Sequence, residues 1–235
     1  MLDDVQLLLA DGDDARLEFH ALDPSAGLRH FLSVDSERVR LAYGKIVDLY
    51  VELFGTSEKV HRDDLDLIGR QLSGRAGAVL DVGCGPGHLT AYLCSLGVEA
   101  SGIDLVPEFV AHARVTHPGV GFRLGSMAGL DVADQSVAGI LTWYSTIHLR
   151  PAEIDGVFAE FRRVLVPGGR LVVGFFDGDE VEAFDHKVVT AYRWPPDELA
   201  ARLGRAGFAE IERQQRPAGE GNRRPHAAIA AERAG

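Results

Sequence analysis

Cysteine is scarce in this chain: Cys84 and Cys94 are the only two among 235 residues. They form no CxxC pair, which excludes a disulfide framework and a cysteine-built zinc site, so both are expected as reduced thiols. Basic residues are also few, with 24 Lys and Arg against 35 Asp and Glu, for a formal net charge of −11. A field of that sign repels polyanions and argues against a nucleic-acid partner. No apolar run approaches the roughly 18 residues of a membrane span. The opening Met1-Leu2-Asp3-Asp4 is acidic where a secretory leader is basic, so a cytoplasmic protein is expected. None of the histidines lies in an HxxxH or HxH pair beside a carboxylate; no metal site is expected, and His112 and His117 read as surface residues. The basic residues that do cluster, Arg213, Arg216, Arg223, Arg224 and Arg233, read as solvated charge around a final strand.

Glycine is plentiful, and one group of glycines organises the chain. An apolar run, Ala78-Val79-Leu80, enters Asp81, after which glycines alternate at 83, 85 and 87. His88-Leu89-Thr90-Ala91-Tyr92-Leu93 then opens a helix. A strand, a glycine-rich turn and a helix make the ligand cradle of open α/β sheets, at the strand's carboxyl end. Glycine serves there because a side chain would hold a ligand off the backbone, and because a tight turn can require positive φ.

From Ala78 onward short apolar strands alternate with helices. Strands are expected at 78–82, 98–103, 120–124, 137–143 and 170–176, with helices at 88–96, from Pro107, and at 151–164. Pro167-Gly168-Gly169 reads as a turn into the fifth strand. After Phe176 the pattern loosens; a helix from Pro195 to Gly207 precedes strands at 209–213 and 227–231, joined without a helix and so antiparallel at the sheet edge. Upstream, Val39, Tyr43, Ile46, Val47, Tyr50 and Phe54 recur at helical spacing, predicting one amphipathic helix from Ser36 to Gly55. A second helix is expected over 61–72, and one or two short helices in residues 1–35. The fold class is α/β, a mostly parallel sheet with helices on both faces. Residues 1–75 form a helical N-terminal extension and residues 76–235 the sheet domain.

A second anchor for a nucleotide-like ligand is Asp104, which ends the second strand 21 residues after Gly83. A carboxylate there accepts hydrogen bonds from the hydroxyls of an adenosine ribose. That alone does not separate NAD from other adenosine ligands. NAD cradles read G-x-G-x-x-G, whereas here the third glycine falls at 87 and position 88 is histidine. Asp81 also precedes the turn, where a carboxylate repels a pyrophosphate and attracts a cation.

Asp81-Val82-Gly83-Cys84-Gly85-Pro86-Gly87, then Gly102-Ile103-Asp104, then Leu165-Val166-Pro167-Gly168-Gly169-Arg170-Leu171, together resemble the class I S-adenosylmethionine-dependent methyltransferases over roughly residues 38–230. The resemblance implies a Rossmann-like sheet of seven strands, one of them antiparallel, under a helical N-terminal lid. It implies S-adenosylmethionine as cofactor and S-adenosylhomocysteine as product. It places Asp81, Gly83, Cys84 and Gly85 at the cofactor's amino-acid end, Asp104 and Leu105 at the ribose, and Ser126 and Met127 beside the adenine, with Thr142 also in contact. Many relatives carry aspartate where Ser126 stands. The lid helix of the family brings tyrosines to the cofactor, which implies a contact for Tyr43; Tyr43 and Tyr50, seven apart, also have the spacing of core aromatics.

Methyl transfer from a sulfonium needs alignment more than acid–base help. A base is required only where the acceptor must lose a proton. His148, just past the fourth strand, is the candidate, because imidazole titrates near neutrality; a structural histidine before Pro151 is the alternative. Trp143, Tyr144, His186 and Tyr192 are candidate acceptor contacts. The expected partner is a small-molecule acceptor, methylated at O, N or C, with no membrane and no nucleic acid; a homodimer is left open. An NAD-dependent oxidoreductase and a non-catalytic S-adenosylmethionine-binding protein are the competing readings.

Overall fold

The computed structural model describes residues 34–219 and 224–235. The short helices expected in residues 1–35 lie almost wholly outside that range. β1 (Val79–Val82) is buried along its whole length, because its neighbours are strands on both sides and helices cover both faces. It pairs in parallel with β2 (Ala100–Asp104) and with β4 (Val137–Trp143). β3 (Gly121–Leu124) extends the sheet beyond β2, and β5 (Leu165–Asp177) lies beyond β4, both parallel. β9 (His226–Arg233) runs antiparallel between β5 and the edge strand β8 (Phe208–Arg216). These seven strands have the arrangement expected from the sequence. Two short strands bring the total among the described residues to nine: β7 (Ala191–Trp194) pairs with the last residues of β5, and β6 (Glu182–Phe184) pairs with β7. They occupy the stretch where the apolar pattern loosened.

Helices cover both faces. On one, Leu67, Ile68 and Leu72 of α3 (Arg62–Leu72) and Leu89 and Leu93 of α4 (His88–Ser95) pack on Val79, Leu141 and Val172. On the other, Phe158 and Phe161 of α6 (Ile154–Val164) join Leu199 and Leu203 of α7 (Pro196–Arg205) over Ile140 and Val173. Phe158 and Phe161 are both fully buried, and truncating either to alanine costs about 3–5 kcal/mol. α5 (Pro107–Thr116) closes the β2–β3 end with Val110 and Ala113 against Phe122.

Two local expectations are corrected. The helix expected from Ser36 to Gly55 is two, α1 (Val34–Gly44) and α2 (Val47–Phe54). Gly44, a poor helix former, ends the first, and Ile46 N–H closes a turn on Tyr43 C=O at 3.0 Å. The break lets Tyr43 and Tyr50 meet edge to face at 5.7 Å. Pro167-Gly168-Gly169 is no turn ahead of the fifth strand but an irregularity within β5: Leu165 already pairs with Val137, and regular pairing resumes at Gly139 and Arg170. Among the described residues no helix is long and apolar enough to cross a membrane.

Candidate active site

The glycine turn follows β1 at its carboxyl end. Gly83 N–H and Cys84 N–H both donate to Ile103 C=O, at 2.7 and 3.2 Å, which fastens the turn to β2. Gly83 has φ of 77°, and a Cβ there would lie 2.2 Å from Ser145 Cβ, so the site tolerates glycine alone. Ser145 is itself held in place. Its hydroxyl donates to Val82 C=O at 2.7 Å, which leaves its oxygen to accept from the Thr142 hydroxyl at 2.6 Å. The segment after β4 is thereby tied to the end of β1.

Two carboxylates flank this turn. Asp81 is 2% exposed and accepts from the Thr90 hydroxyl at 2.7 Å. Burial raises its pKa to about 7, against the lowering effect of that hydrogen bond. Asp104 is 7% exposed and accepts from Gly85 N–H at 2.7 Å and Val106 N–H at 2.8 Å. Burial raises it to about 6, and the backbone donors limit the rise. Each carboxylate is therefore destabilised in its charged form until a cation or further donors arrive.

Two cavities meet over the turn and share Tyr50, Gly83, Gly85, Trp143 and Tyr144. The smaller, about 110 Å³, reaches Tyr43, Asp104, Leu105, Ser126, Met127 and His148. Ser126 Oγ also accepts from Ala128 N–H at 3.2 Å, which shapes the turn after β3. The larger, about 380 Å³, is lined by Asp81, Cys84, Asp64, Arg216, Arg224 and His226 among others. Burial pushes the Cys84 thiol well above its ordinary value, so it stays protonated.

His148 sits at the junction of α1 and the sheet. Its Nδ1 is 2.9 Å from Thr190 C=O, an acceptor only, so Nδ1 carries the proton and Nε2 the lone pair. Nε2 is 2.8 Å from the Tyr43 hydroxyl, which therefore donates to it. Burial lowers the His148 pKa to about 4, leaving the ring neutral at pH 7. α1 is also tied down on its far side, where Arg150 pairs with Asp35 at 2.9 Å. Tyr144 holds φ of 53°, a left-handed conformation unusual for a large side chain, and its hydroxyl is hydrogen-bonded to His226 Nδ1.

Not every candidate reaches a cavity wall. Thr142 is fully buried beneath Ser145 and lines neither cavity. His186 stacks edge to face on His148 at 5.3 Å and borders a separate small cavity under α2. Tyr192 packs half-buried against the core on β7 and lines neither of the two. Among the described residues no three His, Cys, Asp or Glu side chains group closely enough to hold a metal ion.

The reading of the C-terminal arginines as solvated charge is corrected. Arg216 makes a two-pronged pair with Asp64, at 3.1 and 2.8 Å, and Asp64 is only 6% exposed. Arg233 is buried and donates to Leu165 C=O. Arg224 lies over the rings of Phe184 and Phe176. Arg213 stays at the surface, paired with Glu210 and Asp197, and Arg223 lies outside the described residues. Asp64, Arg216, Arg224 and His226 went unnoticed as site residues because no local spacing links α3 to β8 and β9. The one available hint was Asp64 at helical spacing from Leu67 and Ile68, an aspartate on the apolar face of α3.

Comparison with known proteins places this geometry. Residues 79–169 match the model of a methyltransferase domain. The arsenite methyltransferase of Halobacterium salinarum is 32% identical over 57% of this chain and 38% of its own length. The trans-aconitate 2-methyltransferase of Methylobacterium nodulans is 31% identical over 62% of this chain and 55% of its own. The chain thus spans about two fifths to just over half of these relatives. In fold it is similar to the 1,6-didemethyltoxoflavin-N1-methyltransferase of Burkholderia thailandensis, solved with S-adenosylhomocysteine, at a TM-score of 0.70 and 22% identity over 92% of this chain and 94% of that one. The turn at Gly83, the carboxylate at Asp104 and the strand order agree with this likeness, and residues 79–169 have the sequence character of a methyltransferase domain.

Proposed function

We propose that this chain transfers a methyl group from S-adenosylmethionine to O, N or C of a small-molecule acceptor. The observation that carries this reading is the pair of buried carboxylates, Asp81 and Asp104, set around a turn whose glycines leave room for a ligand. Both have raised pKa values, so a cationic ligand gains by neutralising them, whereas a pyrophosphate would meet like charge. That is the support for a sulfonium cofactor over NAD. Gly83, Gly85 and Asp81 would hold its amino-acid end, Asp104 the ribose, and Ser126 and Met127 the adenine. When bound, S-adenosylmethionine supplies a methyl group already activated by the positive charge on sulfur.

The chain's own contribution is to orient the acceptor and exclude water. Trp143 and Tyr144 wall the junction of the two cavities, so an acceptor lying against them is held at the glycine turn. Such alignment is worth up to roughly 7–11 kcal/mol. α1 and α2 act as the cover, brought down by Tyr43 on His148 and Asp35 on Arg150. Where the acceptor must lose a proton, His148 Nε2 is the atom that takes it, once the Tyr43 hydroxyl yields its place. The acceptors named for the relatives, arsenite, trans-aconitate and 1,6-didemethyltoxoflavin, are all small, which supports the substrate class.

Incubation with methyl-labelled S-adenosylmethionine and a metabolite extract tests the proposal. Labelled small products are expected. Binding of S-adenosylhomocysteine with no transfer to any fraction would favour a non-catalytic binding protein, and nicotinamide-dependent absorbance change would favour an oxidoreductase.

A further inference from the structure

Among the described residues that line the larger cavity, Arg224 is a cation with no carboxylate partner. Asp64 and Arg216 neutralise one another. Lys59, at the rim, is engaged with the Glu52 C=O, to which its ammonium donates. His226 is kept neutral, lowered to about 4 chiefly by burial. Arg224 remains. Its guanidinium lies over the Phe184 ring at 4.4 Å and the Phe176 ring at 5.8 Å, and among the described residues it makes no ion pair. A guanidinium supported through its face by aromatic rings keeps its N–H edge for a ligand, and that edge matches an oxyanion in two-pronged fashion.

Its place in the sheet separates it from the cofactor's anchors. Asp104 stands on β2, the glycine turn follows β1, and Phe176 is on β5, with β4 between β1 and β5. Two strand spacings put Arg224's support about 10 Å from the turn, on the side away from Asp104. A ligand running from Asp104 to Gly83 ends before Arg224. A second molecule lying along Trp143 and Tyr144 would span the gap. The chain's net charge of −11 repels anions at a distance, so selection of one here must come from local contact.

We propose that the acceptor carries a carboxylate and that Arg224 receives it, fixing the acceptor's orientation across Tyr144. This deepens the methyltransferase reading and depends on it only for what fills the neighbouring cavity. Ligand-observed NMR on the full chain, with and without S-adenosylhomocysteine, would titrate benzoate and phenylacetate beside benzamide and phenylacetamide. The acids are expected to bind about 10–100-fold more tightly than the amides, the worth of one charge-assisted hydrogen-bonded pair. Arg224→Gln should abolish that preference and Arg224→Lys should keep part of it, with unchanged melting temperature and S-adenosylhomocysteine affinity within about twofold, since that ligand ends short of Arg224. Equal binding of acids and amides, or a preference that survives Arg224→Gln, would overturn the proposal. A large loss of S-adenosylhomocysteine affinity in Arg224→Gln would assign the arginine to the cofactor's own carboxylate and overturn it too. If S-adenosylhomocysteine fails to bind the wild type, the methyltransferase reading falls, while the acid preference of the ligand-free chain still decides the role of Arg224.

Discussion

Over β1 and β2 the site is made chiefly of backbone: a turn of glycines pinned to Ile103 C=O, with Asp104 accepting from Gly85 and Val106 N–H. Over β4, β5 and β9 it is made of side chains drawn from across the sequence, Tyr144, His148, Arg224 and His226. The first half has little freedom to vary, because a Cβ at Gly83 has nowhere to go. The second can change residue by residue without disturbing the sheet beneath it. A cofactor that stays the same suits the first, and an acceptor that differs between relatives suits the second.

Substitutions that respect or cross this division test it. The largest effect should come from Gly83→Ala. It combines left-handed strain of about 1–2 kcal/mol with overpacking against Ser145 of about 1–3 kcal/mol. S-adenosylhomocysteine affinity should fall about a hundredfold or more by calorimetric titration; near-normal binding would mean that the turn does not form the cradle. Asp104→Ala comes next. Loss of a charged acceptor costs about 1.5–3 kcal/mol per hydrogen bond, and the change should appear in both cofactor affinity and denaturant midpoint, because Gly85 and Val106 lose their partner.

On the other side of the division, His148→Gln should lower turnover about 100-fold with little change in S-adenosylhomocysteine affinity, if the acceptor must lose a proton. Tyr43→Phe should have a smaller effect, removing one hydrogen bond worth about 1 kcal/mol. Unchanged turnover in both would leave this pair a role in packing α1 alone.

A pH dependence of similar size to the Tyr43→Phe effect is also expected. Asp81 and Asp104 titrate in the ligand-free fold at about 7 and about 6, above the ordinary 3.8. Raised folded-state values mean that their contribution to stability is complete below about 3.8 and is lost as pH rises through 6 and 7. A cationic ligand reverses the sign, since it prefers them ionised. S-adenosylmethionine should bind about tenfold more weakly at pH 6 than at pH 8, and Asp81→Asn should flatten that slope. A flat profile in the wild type would mean that the cation does not sense Asp81.

The same division explains what was legible in the sequence. Asp81, Gly83, Gly85 and Asp104 lie in short contiguous motifs at the ends of strands, where local chemistry and apolar pattern speak together. The parallel pairing of the first five strands followed from alternation with helices, and the antiparallel β8–β9 pair from the missing helix between them. Arg224 and His226 sit more than 130 residues from the glycine turn and meet it through strand order alone. A cluster of arginines near a chain end looks like solvated charge unless Asp64, Phe176 and Phe184 are known to face it. The break between α1 and α2 was equally hidden, because the apolar spacing runs through it and only Gly44 marks the place.

The most direct measurement is a calorimetric titration of S-adenosylhomocysteine into the wild type, Asp104→Ala and Arg224→Gln, each repeated with NAD in excess. The account predicts binding by the wild type and Arg224→Gln alike, marked weakening in Asp104→Ala, and no competition from NAD. Displacement of S-adenosylhomocysteine by NAD, or stabilisation of the chain by NAD alone, would contradict it.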